Sequence, residues 1–156
     1  MIDEIDRKIV ELLQTDARLS NAAIAEQVGL TSSTVHDRVK KMERKGIIKG
    51  YVAVVDAEQL GKPVTAFVRL SVGATSGSYV ESKNSVMEVC QAEPDVLEGH
   101  GVAGEDCYVL KVRAASPKDL ERLIERIRMS SLVSRSTTNV VLSTFKESSM
   151  VVPKEG

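Results

Sequence analysis

The chain has 156 residues, room for one domain or two small ones, and its 42% hydrophobic content, with only 3% aromatics, implies an aliphatic core. A net charge of −1 excludes a uniformly basic protein but not a local basic patch. No run of about 18 apolar residues is present, so no transmembrane helix is expected; the charged start MIDEIDRK lacks an apolar signal region and points to the cytoplasm. Taken in order, Asp3 and Glu4 favour a helix start, where negative charge meets the positive end of the dipole. Ile5, Ile9, Leu12 and Leu13 then form one apolar stripe. Ser20 or Asn21 can cap a short second helix that buries Ile24 and Val28, and Gly29 supplies a tight turn. Thr31 or Ser32 can cap a third helix with Val35, Val39 and Met42 facing inward, and Gly46 stands where a left-handed terminator is expected.

The other side of that third helix carries Ser33, Asp37, Lys40 and Arg44, with His36 and Lys41 at its shoulders. Residues 31–50 hold six Lys or Arg against two acids, net +4. Alone, such a run suits a solvated helix face as well as a binding surface. Two helices joined by a Gly-containing turn, covered by a third, form a helix-turn-helix whose second helix can enter a DNA major groove. The expected partner is double-stranded DNA. Candidate contacts are Ser32, Ser33, Thr34, His36, Asp37, Arg38, Lys40, Lys41 and Arg44, with Lys40 and Arg44 aimed at phosphates or guanine edges.

Ile47 to Val55 is β-prone and reads as a strand leaving this unit; residues 56–63, with Gly61 and Pro63, read as a hinge. Val64 to Val72 is a strand and residues 73–78 a loop of mostly small residues. Tyr79 to Ala92 is a helix burying Val80, Val86, Met87 and Cys90, stopped by Pro94. Val96 to Val102 is a strand weakened by Gly99 and Gly101, and Cys107 to Arg113 is the clearest strand in the chain. Ser116 caps a helix with Pro117 at its first position and Leu120, Leu123, Ile124 and Ile127 on its buried face. Val133 to Phe145 is the last strand. The fold class is α+β: an amino-terminal helix-turn-helix, winged-helix-like, then a ferredoxin-like βαββαβ domain for ligand binding and assembly. Its open sheet face needs covering, and self-association is the economical cover. The expected division is 1–50 for DNA binding, 51–63 for strand and hinge, 64–147 for effector binding and oligomerisation, and 148–156 for a tail.

No enzyme chemistry is expected. His36 and His100 are the only histidines; Cys90 and Cys107 read as free small hydrophobes; neither set has metal-ligand spacing. No P-loop, dinucleotide fingerprint or nucleophile elbow occurs, so neither cofactor nor metal is expected. Gly99-His100-Gly101 reads as a bent strand or loop. Glu105 and Asp106 can be plain turn residues, or Asp106 can take a ligand's ammonium group. Backbone N–H groups beside Gly101 or Gly104, or the hydroxyls of Thr137 and Thr138, can then take a carboxylate, and Tyr108 completes the candidate set.

In this order the parts resemble the Lrp/AsnC family, also called feast/famine regulators. The resemblance rests on Ile5-Asp6, Ile9, Leu12-Leu13, Asp16 and Arg18, on Val35, Arg38, Val39, Gly46, Ile47-Ile48 and Gly50-Tyr51, and on GVAGEDCYVLKV with Gly104 and Asp106 in its turn. It covers residues 2 to about 147. It implies a transcription regulator that dimerises through its second domain, often assembling into octamers, with amino-acid effectors bound between dimers near the Gly104 turn. Many members have an acid directly before the aromatic; here Cys107 precedes Tyr108 and the acid stands at Asp106. The alternative reading is a stand-alone amino-acid sensor or assembly protein without direct DNA binding.

Overall fold

The computed structural model describes residues 2–73, 79–105, 107–129 and 132–153, the side chains of 79–83 excepted. The chain divides into two compact units, one of Met1–Val54 with Lys146–Gly156 and one of Val55–Phe145. The first holds three helices: α1 (Glu4–Thr15), α2 (Asn21–Val28) and α3 (Ser32–Arg44). Each start is set by a side chain accepting from an otherwise orphan N–H: Asp3 from Asp6, Ser20 from Ala23, Thr31 from Thr34. Ile9, Ile24, Val35, Val39 and Met42 form the buried core, with Ile5, Leu12, Leu13 and Val28 half-buried around it. Gly29 between α2 and α3 has φ 69° and Gly46 after α3 has φ 68°, the left-handed region in which glycine ends a helix without strain. The tail returns to this unit. The Gln14 amide donates to the Val151 carbonyl at 2.9 Å, and the Val151 N–H donates back to Gln14 Oε1 at 2.7 Å.

The run Ile47 to Val55 forms no strand, contrary to its β-prone composition. Val52 and Val54 are 86% and 92% exposed, and among the described residues no strand edge pairs with theirs. Propensity alone does not make a strand when its N–H and C=O groups have no ladder to join.

The second unit is built from β1 (Val64–Val72), α4 (Tyr79–Ala92), β2 (Val96–Gly101), β3 (Tyr108–Ala114), α5 (Pro117–Met129) and β4 (Val133–Val140). The sheet order is β2-β3-β1-β4 and every pairing is antiparallel, the ferredoxin-like arrangement. Strict alternation puts Ala66, Val68, Leu70 and Val72, and Tyr108, Leu110, Val112 and Ala114, into one core with residues of α4 and α5. Phe67, Arg69, Val109 and Lys111 point the other way. The last strand stops at Val140 rather than Phe145. Val140 pairs with Ala66 and the Val141 N–H still reaches Thr65 O at 2.9 Å, but β1 begins at Val64 and offers nothing further. Met87, expected in the core, is 44% exposed, because it stands beside a cleft described below. The Val80 side chain and residues 74–78 of the loop lie outside the described residues.

Candidate functional site

Burying Val35, Val39 and Met42 turns the opposite side of α3 outward. Ser32, Ser33, Thr34, His36, Asp37, Lys40, Lys41 and Arg44 are all exposed. Its first turn is a hydroxyl cluster: Thr31 Oγ1 lies 3.0 Å from Ser33 Oγ and 2.8 Å from Thr34 Oγ1. His36 Nδ1 lies 3.3 Å from the Asn21 amide nitrogen, which orients the ring against α2. With the amide donating, a neutral ring keeps its Nε2–H for an external acceptor. Lys40 Nζ is 2.9 Å from Glu43 Oε2, and the Tyr51 hydroxyl donates to Glu43 Oε1 at 3.1 Å. The ammonium first, and the phenol after it, hold the Glu43 carboxyl below its usual range. Among the described residues Lys41 and Arg44 have no ion-pair partner.

Arg38 is placed differently from the other candidates. It stands three residues after Val35 and four before Met42, at the inner edge of the helix. Its Nη1 donates to Asp3 Oδ2 and Asp6 Oδ1, both at 2.7 Å, and its side chain is 28% exposed. The guanidinium thus joins α3 to α1 instead of standing on the outer face. It holds the Asp3 carboxyl below its usual range, chiefly through the hydrogen bond, and is itself raised by the two acids. The sequence offered one signal for this pair: Asp6 is an acid on the edge of the apolar stripe of α1, and it is buried.

In the second unit, Gly101 at the end of β2 pairs with Tyr108 at the start of β3. The Val102 N–H donates to Cys107 O at 3.0 Å, and the Cys107 N–H donates to Leu70 O at 2.8 Å, tying the turn to β1. Gly104 has φ 137°, a conformation L side chains rarely adopt, so glycine is required there. Gly101, Gly104 and Glu105 are exposed and Tyr108 is buried; Asp106 lies outside the described residues. Thr137 and Thr138 are not beside this turn. Thr137 pairs with Arg69 and Thr138 with Val68, so they point to opposite faces. They lie on β4, which β1 separates from β3. Two strand spacings put them about 10 Å from β3.

A cleft of about 720 Å³ opens between α4 and the β2–β3 hairpin, walled by Val86, Met87, Cys90, Leu97, Val102 and Tyr108 among others. Burial pushes the Cys90 thiol up to about 11, with Glu93 adding to it, so it behaves as an apolar wall group. On the opposite face of the sheet from the cleft, the Glu98 carboxylate lies 3.3 Å from His100 Nε2 and 3.4 Å from Lys111 Nζ, which hold it below its usual range, His100 first. The sequence reading missed this cleft; the signal was Gly99 and Gly101, read as weakening the strand and, at Gly101, as a place where backbone N–H groups can take a ligand's carboxylate. Among the described residues no group of three His, Cys, Asp or Glu is placed to hold a metal ion.

Comparison with known proteins accounts for both units. Residues 2–49 match the model of winged helix-turn-helix DNA-binding domains, and residues 65–151 match the Lrp/AsnC ligand binding domain. The chain is 34% identical over 152 residues to the HTH-type transcriptional regulator LrpA of Mycobacterium tuberculosis, covering 97% of each chain. It is 32% identical over 146 residues to the HTH-type transcriptional regulator FL11 of Pyrococcus horikoshii, covering 94% of this chain and 93% of that one. Its fold matches that of a feast or famine regulatory protein from M. tuberculosis complexed with L-methionine. There the TM-score is 0.87 and the identity 32%, over 98% of this chain and 100% of the other. No helix among the described residues is long and apolar enough to cross a membrane. With a DNA-binding helix-turn-helix followed by a ferredoxin-like ligand-binding domain, the chain belongs to the Lrp/AsnC family of transcriptional regulators.

Proposed function

We propose that this regulator answers to a free amino acid, acts in the cytoplasm as a dimer or larger assembly, and catalyses no reaction. The observation that carries the reading is the outward face of α3, where hydroxyls at the first turn lead into Lys40, Lys41 and Arg44. That is the order in which base edges and then phosphates are met by a recognition helix. Residues 1–50 bind DNA, 51–63 connect, 64–147 bind effector and assemble, and 148–156 form the tail. Ser32, Ser33, Thr34, His36 and Asp37 face the groove, and Lys40, Lys41 and Arg44 the backbone. Arg38 supports the helix from behind. One short helix reads too few bases for operator specificity, so a twofold dimer is the reading unit, with half-sites about one helical turn apart, roughly 34 Å, or a multiple of it.

The effector's ammonium goes to Asp106, and its carboxylate to backbone N–H groups beside Gly101 or Gly104. Tyr108 closes the floor. Thr137 and Thr138 take part only if another subunit brings its β4 to this turn, as an effector site between dimers requires. A relative of like fold, complexed with L-methionine, supports an amino acid as the ligand class.

Two titrations test this. Fluorescence anisotropy on upstream DNA, repeated across salt, reads the phosphate contacts. Replacing Lys40 and Arg44 by Ala should weaken binding and reduce the slope of log K against log salt by about 0.9 for each phosphate that is no longer neutralised. Full affinity with an unchanged slope removes this face from the interface. No DNA binding by the native protein favours the sensor or assembly reading. Calorimetry with free amino acids reads the effector. Asp106→Ala should cost roughly ten- to a hundredfold in affinity, the worth of one charge-assisted hydrogen bond. Equal binding by the variant sinks that assignment.

A further inference from the structure

We infer that the effector's side chain is aliphatic or a thioether, and that it lies in the cleft between α4 and β2, over Tyr108 and Leu110, in the space that Gly99 and Gly101 leave open; this rests on the amino-acid reading above. Gly101 pairs with Tyr108 and Gly99 with Leu110, and both partners face the helix side of the sheet. Residues directly opposite each other share a face. Gly99 and Gly101 are therefore the positions of β2 whose side chains would project under α4, and the chain puts none there. Backbone conformation does not demand glycine at either place, since neither has a positive φ. Nor does crowding at the first atom. A Cβ at Gly99 would meet Leu110 Cδ2 at 3.4 Å, and one at Gly101 would come no nearer than 3.9 Å to Tyr108 Cε1, both ordinary contacts. Two glycines weaken an edge strand without any local need. What they provide is room beyond Cβ.

The walls of that room set the ligand chemistry. Met87, Leu97 and Val102 are large apolar groups at 44%, 52% and 40% exposure around one cleft. Val86, Cys90, Tyr108 and Leu110 form its floor. The one ionised residue in its lining among the described residues, Glu98, pairs with Lys111 across β2 and β3, so its carboxylate stands on the other face of the sheet, engaged by His100 and Lys111. A charged effector side chain entering here would lose water without gaining an ionised partner among the described residues, where Gln91 is the polar side chain of the lining, an unfavourable exchange. An alkyl or thioether chain meets only favourable burial. The cleft also shares Gly101, Val102, Cys107 and Tyr108 with the turn, so a ligand whose charged end is held there has its side chain directed into it.

The test is calorimetric titration of the full chain with alanine, norvaline, norleucine, leucine and methionine, and with lysine, glutamate and asparagine. Affinity should rise about fourfold for each methylene from alanine to norleucine, and lysine and glutamate should bind at least roughly tenfold more weakly than norleucine. Gly99→Val fills the cleft. It should lower norleucine affinity at least about tenfold while changing alanine affinity less than about twofold. If Gly99→Val does not fold by circular dichroism, Met87→Glu on the exposed rim of α4 replaces it; that variant should shift preference from norleucine toward lysine. Charged or amide amino acids binding as tightly as norleucine, or unchanged selectivity in the folded variant, overturns the inference and leaves the amino-acid reading standing. Binding by no amino acid at all overturns both.

Discussion

Arg38 shows how one position on α3 can tie that helix to α1 instead of standing on its outer face. Asp6 has a side chain only 11% exposed, and Arg38 is its ion-pair partner among the described residues. Arg38→Ala leaves that carboxylate desolvated and unpaired, so it should lower unfolding stability by about 1–3 kcal/mol. Asp6→Ala in the same chain should recover part of that loss, a coupling that a double-mutant cycle in urea reads directly. The salt slope of DNA binding by folded Arg38→Ala should match that of the native protein, unlike Arg44→Ala. The pH dependence has a definite sign. The folded Asp3 carboxyl sits below its ordinary value of 3.8, chiefly through the Arg38 hydrogen bond. A depressed folded value contributes stability that is present above the unfolded value and lost as pH falls through the folded one. The melting temperature should therefore fall more steeply on acidification below about pH 4 in the native protein than in Arg38→Ala. Equal acid slopes would deny the pair its role.

Among the elements, the junction of α2 and α3 depends on one backbone angle. Gly29 has φ 69° and open space around a built Cβ, so a side chain there meets no clash, only the left-handed penalty. Gly29→Ala should cost about 1–2 kcal/mol by denaturant titration, and Gly29→Asn less, since Asn tolerates this region. A neutral Gly29→Ala would mean that the turn had rearranged. The tail is an element of a different kind, without secondary structure of its own and held by the Gln14 amide. Both of its hydrogen bonds are exposed, so Gln14→Ala should change stability by no more than about 1 kcal/mol. It should nonetheless bring Val151 amide exchange up to the unprotected rate. Persistent protection in Gln14→Ala would show that something else holds the tail.

For the whole molecule, the feature with the widest consequence is the sheet face turned away from α4 and α5, which no helix of the second unit covers among the described residues. Phe67 is 42% exposed at the centre of β1, with Val109 across on β3. An antiparallel sheet with helices on one side presents this face to water or to another copy. Assembly through it predicts that Phe67→Asp, a surface substitution in the isolated chain, lowers the mass seen by light scattering at micromolar concentration. It should also weaken DNA binding by separating the two recognition helices of a dimer. An unchanged mass would move the assembly surface elsewhere.

What could be read from residues alone was what residues decide locally. The apolar spacing of Ile5, Ile9, Leu12 and Leu13, the caps at Ser20, Thr31 and Ser116, and the left-handed glycines at 29 and 46 are short-range effects, and the helices stand where they put them. The alternation along Val64–Val72 and Tyr108–Ala114 named the buried face in the same way. The order of strands and helices then specified the ferredoxin-like arrangement, because few topologies accommodate βαββαβ. Tertiary structure decided whatever depends on a partner distant in sequence. The run at 47–55 has strand composition but no edge to pair with. Arg38 has the charge of a phosphate ligand but finds Asp3 and Asp6 across the helix pair. Thr137 and Thr138 have suitable hydroxyls, yet the register sends them to opposite faces of a strand far from the turn. Gly99 and Gly101 look like defects in a strand until pairing sets them opposite Leu110 and Tyr108, and the absence of two side chains becomes a cleft. Spacing and capping act over a turn of helix or a few residues of strand, whereas a pair, a register or a cavity exists only once the chain has closed on itself.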